Sequence, residues 1–470
     1  MEDKSLDLTK PVLGFLKTEN NDSSETVVML HDNGMKFELS VLFKELTGQI
    51  YRWFLRGRVT HIKTDAGDEV INSLPVPNIL QVLSPSKTYT LVGCRDTGSP
   101  KNKMNQIRIG TITCDYIIVD SDEKQFEKIT NLRTSCSNLY DWFVSGGISV
   151  NKLSDDGESI KIDIKKSSSK ELCKINSMQN ESNKSPISLS FAIDQQVRKI
   201  SKNGSIVSFT EEAFIETHSE AELNWEKHIS IHNWILNLIS ISKLERCEFS
   251  KMEVGVENNN TCNDSTIKWF TVLHHLNAGT QNIYEKHNKQ FLFDFDDINT
   301  CGIEKWFELL QRYGRAMGII SDIAKEQNNL SVESVNIILG VALEDIGWEI
   351  IKSTGREDRM KKRKGETIEE LRCFSCALDT IKEELGKYFP IDSKDFDWVK
   401  DMNDIYRKNK HADANENMEK TPKDYEKMYR INICSMNIIR LWIGKQLGAD
   451  LPTMLKRLNL YIFKYNETSI

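Results

Sequence analysis

No stretch of this 470-residue sequence holds the run of about 18 apolar residues that a membrane-crossing helix needs. The N-terminus, Met1-Glu2-Asp3-Lys4, is polar and acidic and lacks the apolar core of a signal peptide, so a cytoplasmic location without membrane attachment is expected. Excess positive charge is missing too. A formal net charge of −7 argues against coating nucleic acid through bulk charge, and any RNA contact must come from a local basic patch. Metal-ligand patterns are sparse. Most of the ten cysteines are isolated, Cys94, Cys114, Cys136 and Cys173 among them. The one close pair, Cys373 and Cys376, is followed by no second CxxC or HxxxH, whereas a zinc site needs two more ligands. At helical spacing the pair reads as small, half-buried thiols. His274-His275, with His287 nearby, gives no two imidazoles on one helix face. Asp294, Asp296 and Asp297 lack the glycine and closing glutamate of a calcium loop. Neither metal nor cofactor is expected.

What is present points to a multidomain globular chain. Its length exceeds one hydrophobic core, and 39% apolar with 28% charged residues is ordinary for such proteins. Residues 11–150 read as short β pieces. Val27–Leu30 and Phe37–Leu39 flank Asp32-Asn33-Gly34, a hairpin pattern. Phe54–Thr60, Tyr89–Gly93 and Ile107–Thr113 continue the series, and Tyr116-Ile117-Ile118-Val119 reads as a buried strand. Leu132 to Phe143 suits a short helix or turn, and Lys165 to Lys184 a polar loop. Strand signals return at Ile187–Ile193, Ser205–Phe209, Phe249–Val256 and Trp269–Leu273. Between them Trp225, Ile229, His232, Ile235, Leu236 and Ile239 mark one helix face. The acidic residues after Phe293 suit the N-terminus of a helix bearing Ile303, Trp306, Phe307, Leu310 and Tyr313.

From about Ser331 the periodicity is helical throughout. One helix carries Val335, Ile338, Leu339, Ala342, Leu343, Ile346 and Ile350 and ends at Gly355. A charged link, Arg356 to Glu366, leads to a second, expected from about Thr367. A third runs from about Ser393 into Arg407-Lys408-Asn409-Lys410-His411. Thr421-Pro422 starts a fourth, closed by Gly448. Four such helices suit a bundle. The expected fold class is therefore α+β: a β-rich antiparallel region of sandwich or barrel-like type over 1–325, with a break near 150–185, then an all-α bundle over 330–465.

Arg407 and His411 are four apart, so on a helix they share a face with Cβ atoms about 5–6 Å apart. A guanidinium can grip a phosphate oxygen and stabilise a pentacoordinate transition state. An imidazole can move a proton near neutral pH. RNA supplies its own nucleophile, the 2′-hydroxyl, so such a pair can serve RNA cleavage without metal. Lys408 and Lys410 add positive charge, and His411 is the only histidine after His287. The same residues also suit an exposed, frayed helix end. The run Arg356, Arg359, Lys361, Lys362, Arg363, Lys364 can track an RNA backbone or be a solvated link.

Taken in order, the motifs resemble a known family. Ala342-Leu343-Glu344 and Tyr406-Arg407-Lys408-Asn409-Lys410-His411-Ala412-Asp413 are similar to the ApeA-like HEPN proteins. Leu13-Gly14-Phe15, Gly57-Arg58-Val59-Thr60, Thr88–Cys94 and Phe291–Ile298 resemble their companion ApeA N-terminal domain. The resemblance implies a bacterial anti-phage effector of the abortive-infection kind. Its HEPN module would be a metal-independent endoribonuclease acting as a homodimer on RNA, transfer RNA being one candidate. The N-terminal region would sense a phage-derived trigger or restrain the nuclease. By the same match Arg407 holds the scissile phosphate and His411 is the general acid or base. Lys408, Asn409, Lys410, Arg359, Lys361, Lys362 and Arg363 would contact RNA. One departure stands out: three residues separate Arg407 from His411, where the family motif has four to six. A degenerate module that binds RNA or dimerises as a scaffold is the alternative.

Overall fold

The computed structural model describes residues 8–17, 26–43, 49–55, 60–64, 67–97, 101–102, 108–121, 126–143, 148–152, 160–164, 170–175, 186–201, 205–258, 266–276, 290–326, 329–356, 361–364, 367–370, 373–390, 397–410 and 421–458. An antiparallel β-sheet region is followed by a helical one, so the chain is α+β. It divides into two compact units. The first is Met1–Ser135 with Glu216–Ser230 and Phe249–Glu285; the second is Cys136–Ile215 with Ile231–Glu248 and Lys286–Ile470.

The strands in chain order are β1 (Val12–Lys17), β2 (Thr26–Asp32), β3 (Phe37–Phe43), β4 (Thr60–Thr64), β5 (Gly67–Ile71), β6 (Ile79–Leu83), β7 (Thr88–Val92), β8 (Arg95–Asp96), β9 (Lys101–Asn102), β10 (Arg108–Cys114), β11 (Tyr116–Val119) and β12 (Ile129–Cys136). They continue as β13 (Ile148–Lys152), β14 (Ile160–Ile164), β15 (Lys170–Ile175), β16 (Ile187–Ser201), β17 (Ser205–Leu223), β18 (Phe249–Asn258), β19 (Thr266–His274), β20 (Lys361–Lys364) and β21 (Thr367–Glu370). The helices are α1 (Gln49–Trp53), α2 (Leu139–Phe143), α3 (Trp225–Lys243), α4 (Phe295–Glu326), α5 (Val332–Ser353), α6 (Phe374–Leu385), α7 (Trp398–Lys410) and α8 (Pro422–Leu447), followed by a short helix over 451–458.

In the first unit the strands follow the order β17-β12-β18-β19-β11-β7-β6-β1-β2-β3-β10-β8, with β9 beside β10 and a separate β4–β5 hairpin. The β2–β3 hairpin turns at Asp32-Asn33-Gly34. The Asp32 carboxylate accepts from the Gly34 amide, and Gly34 takes a positive φ of 83°. Strands β7 and β11 are buried on both faces. Leu91 and Ile117 join one apolar cluster with Val28, Leu39, Val41 and Leu80, while their neighbours Val92 and Ile118 join another with Leu132, Trp225, Val254 and Phe270. Two buried faces explain the continuous apolar run of Tyr116–Val119. His228, in the first turn of α3, is fully buried. Its Nε2 lies 3.2 Å from the Ile129 carbonyl and its Nδ1 2.9 Å from the Thr217 hydroxyl. A carbonyl only accepts, so Nε2 carries the ring proton. Burial, partly opposed by the Ile129 bond, pulls His228 down to about 4.

In the second unit β15, β16 and the start of β17 are neighbours. Trp142 and Phe143 of α2 meet Phe191 of β16 and Phe295 of α4 edge to face, with centroids 5.0–6.2 Å apart. Helix α5 packs against α4, α6, α7 and α8. Glycines permit two of these approaches. A Cβ on Gly347 would lie 2.5–2.6 Å from the Cβ, Cα and backbone oxygen of Ala377 in α6, and one on Gly340 would meet the Tyr406 ring of α7 at 2.3 Å. Helix α8 starts as its sequence dictates, with Thr421 and Asp424 in a capping box, Pro422 in the first turn and Gly448 left-handed at the end. Arg440 of α8 is buried and donates from Nε to the Ile241 carbonyl at 2.8 Å and from Nη2 to that of Ser242.

Four expectations are corrected. Phe54 is not in a strand: α1 ends at Trp53, and the Phe54 ring occupies the space that the absent side chain of Gly110 leaves. Leu132 to Cys136 continues strand β12, so the short helix begins only at Leu139. Lys170–Ile175, expected as loop, pairs with β16. The helix expected from Thr367 begins at Phe374, because Thr367–Glu370 pairs with Lys361–Lys364 in a register that sets Lys361 opposite Glu370 and Lys362 opposite Glu369.

Two measurements test this packing. Gly347→Ala forces Cβ into backbone atoms of α6 and should cost about 1–3 kcal/mol. Gly318→Ala, in α4 with nothing within 4 Å of the added carbon, should gain up to about 1 kcal/mol. Urea unfolding of both variants checks the contrast, and equal effects would contradict the α5–α6 contact. For His228, an unfolded imidazole takes its proton near 6.5 and the folded one near 4. Between those values the unfolded chain binds more protons, so the stability from a neutral His228 is full above about pH 6.5 and gone by about pH 4. The stability advantage of the parent over His228→Gln should therefore shrink by roughly 2 kcal/mol between pH 7.5 and 5.

Candidate functional site at the end of helix α7

Helix α7 ends in Arg407, Lys408, Asn409 and Lys410, with Arg407, Lys408 and Lys410 exposed. Cations at a helix C-terminus oppose the partial negative charge of its last carbonyls, which favours this ending locally. His411 and Arg359 lie outside the described residues. Lys361, Lys362 and Arg363 lie in strand β20, one arm of the hairpin that precedes α6.

The inner side of the same turn is tied to α5. Tyr406 is buried and its hydroxyl donates to Glu344 at 3.4 Å. The Lys410 ammonium lies 3.9 Å from Glu344 and 5.1 Å from the centre of the Tyr406 ring. Contact with the Tyr406 hydroxyl, slightly opposed by desolvation and aided by the Glu344 charge, raises Lys410 above its ordinary value, so it stays cationic. Asn409 is half-buried and donates to Asn336 at 3.0 Å. Asn336, fully buried, donates in turn to Asn432 of α8 at 2.9 Å, and Asn432 donates to the Val332 carbonyl at 2.8 Å. A ladder of amides therefore joins α7, α5 and α8 beneath the cationic turn. Lys427 of α8 reaches Asp401 of α7 at 2.6 Å.

Chemically, the turn presents Arg407 and Lys408 outward with a carboxylate, Glu344, beside Lys410. Such a turn can receive an anion, and the amide ladder fixes the orientation of its backbone. Asn336 and Asn432 were not among the expected site residues. Their signal was weak: an asparagine inside the run Val335-Asn336-Ile337-Ile338, where an unexplained polar side chain on a buried helix implies a partner.

The other patterns are structural in their surroundings. Asp294 and Asp297 cap α4 reciprocally, each carboxylate accepting from the other's amide, and Arg457 pairs with both. Burial, then the neighbouring Asp297 charge, raises Asp294. His275 approaches Asp32 at 3.1 Å, and burial pulls His274 down to about 4. Among the described residues no group of three or more His, Cys, Asp or Glu converges as a metal ion requires. No helix there is long and apolar enough to cross a membrane.

The antiparallel region followed by helices places the chain in a class of α+β proteins with a helical C-terminal module. More narrowly, residues 31–306 match the family model described as ApeA N-terminal domain 1, more than half of the chain, and the protein belongs to that family. Membership points to the anti-phage defence proteins. No curated protein and no solved structure matches the chain. The family match ends at residue 306, before α5–α8.

The amide ladder is open to test. Asn336→Ala removes the acceptor of Asn409 and the donor to Asn432 in a buried setting, and should cost about 2–4 kcal/mol. Unfolding measured with Asn409→Ala as second variant should show coupling above about 0.5 kcal/mol; strict additivity would mean the ladder does not act as a unit.

Proposed function

We propose that this chain is an anti-phage effector of the abortive-infection kind whose α5–α8 module is a HEPN-type, metal-independent endoribonuclease. The family match over 31–306 carries this reading, because it supplies the defence context in which such a helical module would act. The cationic last turn of α7 supports it. In this reading the 2′-hydroxyl of RNA loses its proton to solvent and attacks the adjacent phosphorus, and the 5′-oxygen leaves. Arg407 stabilises the added negative charge, and His411 delivers a proton to the departing oxygen. The bond count leaves a 2′,3′-cyclic phosphate and a 5′-hydroxyl. Lys408, with Lys361, Lys362, Arg363 and Arg359 of the basic run, holds the flanking phosphates. The protein works as a homodimer through the helical module in the cytoplasm, and the N-terminal region answers a phage-derived trigger. Exposed Tyr425 and Tyr429, one turn apart on α8, offer apolar surface to a second copy.

A second reading is favoured by two observations: the three-residue gap between Arg407 and His411, and the engagement of Asn409 and Lys410 within the protein. In it the module binds RNA or dimerises without cutting.

The test uses the full chain, labelled transfer RNA or total RNA, EDTA, and lysate from phage-infected cells as trigger source. The nuclease reading expects cyclic-phosphate products, and a loss of about 10²–10⁴-fold in His411→Ala. Arg407→Ala should lose a comparable amount. RNA binding without cleavage in every condition selects the second reading instead.

A further inference from the structure

The RNA reading leaves Cys373 and Cys376 unused. Cys373 caps α6 with extended backbone, φ −87° and ψ 114°. The Cys376 and Ala377 amides donate to its carbonyl at 3.0 and 3.4 Å, so the first turn wraps Phe374 and Ser375 between the two thiols. The Cys373 sulfur lies 2.9 Å from the Ser375 hydroxyl and in hydrogen-bond contact with the Cys376 thiol. Both cysteines are half-buried. Partial burial alone would push the Cys373 thiol up, but bonds from the Ser375 hydroxyl and from Cys376 outweigh it and bring it below the ordinary value. Cys94, Cys114, Cys136 and Cys247 differ, since on each of them burial outweighs every opposing contact and pushes the thiol up. Two contacting thiols in a Cys-x-x-Cys turn, one favoured as thiolate, are the elements of a redox dithiol.

We propose that Cys373 and Cys376 form a redox-active pair that exchanges with low-molecular-weight disulfides such as oxidised glutathione. The Cys373 thiolate attacks one sulfur of the disulfide, its S–S bond breaks, and one glutathione thiolate leaves. Cys376 then loses its proton to solvent and attacks the Cys373 sulfur, releasing the second glutathione thiolate. The protein dithiol is oxidised by two electrons and the disulfide is reduced to two thiols. Oxidation is felt at α7. Phe374, held inside the Cys-x-x-Cys turn, packs on Tyr406 with ring centroids 4.5 Å apart, and Tyr406 borders Glu344 and Lys410. The exchange chemistry is independent of the RNA reading; any effect of oxidation on RNA cleavage rests on it.

The native full chain is equilibrated in mixtures of reduced and oxidised glutathione, quenched by alkylation and cut with trypsin. Both cysteines fall in one peptide, residues 373–382, between Arg372 and Lys382. Expected is a two-hydrogen mass deficit in that peptide that rises with oxidised glutathione. Cys376→Ser should retain glutathione on Cys373, whereas Cys373→Ser should not trap it on Cys376. At pH 7 the alkylation of Cys373 should run at least about tenfold faster than that of exposed Cys301. Amide exchange in the last turn of α7 should differ between the oxidised and reduced chain. A peptide that stays dithiol at every glutathione ratio, or equal trapping at both positions, overturns the pair. Unchanged exchange in α7 overturns the coupling. None of these readings uses RNA, so failure of the nuclease proposal leaves them standing.

Discussion

Helix α7 lies against α5 because residue 340 is glycine. The Tyr406 ring fills the volume that any side chain there would claim. From that contact the rest of the site follows by helical spacing. Asn336, Gly340 and Glu344 are four apart and form one stripe along α5. Each meets a partner in the last two turns of α7: Asn409, Tyr406, and the pair Tyr406 and Lys410. The stripe sets both the rotation and the axial position of α7. It is what brings the exposed Lys410 side chain beside Glu344 and leaves Arg407 and Lys408 facing water.

The helical module was legible wherever apolar spacing was regular. Val335, Leu339, Ala342, Leu343, Ile346 and Ile350 are buried, as their period required, and Ile338 at the edge of that face is half-buried. Thr421-Pro422 and Gly448 marked the ends of α8 through chemistry that acts within one turn. The stripe facing α7 stayed hidden, because an asparagine, a glycine and a glutamate interrupt the apolar pattern and acquire meaning only against a second helix. The error at Thr367 has the same origin. Ile368, Leu371 and Phe374 have helical spacing, but Thr367–Glu370 pairs across a tight turn with Lys361–Lys364, a preference that shows only against the second strand. In the β region the hairpin at Asp32–Gly34 could be read from its turn residues, whereas the strand order, with β11 between β19 and β7, depends on pairings that no local pattern encodes.

Buried polar groups give the second unit its specificity. Arg440 reaches two carbonyls of 231–248, and the amides of Asn336, Asn409 and Asn432 bond to one another. An apolar contact tolerates a slide of an ångström. A hydrogen bond of 2.9 Å between buried amides does not, since the displaced groups would have no water to turn to. Placing such a ladder directly under a cationic turn holds that turn in one geometry, because a shift of the backbone would break bonds that no water can replace.

Tyr406 is where these constraints meet. One face of its surroundings is Gly340, another is Phe374, and its hydroxyl lies at Glu344. A displacement of Phe374 therefore cannot be absorbed by moving Tyr406 toward α5, where the glycine backbone already stands at contact distance. It must be taken up along α7 or at the Glu344 carboxylate. Glu344 also attracts Lys410, so Phe374, Tyr406, Glu344 and Lys410 form one contiguous set of contacts. The packing of one aromatic ring thus links the first turn of α6 to the charge that the end of α7 offers.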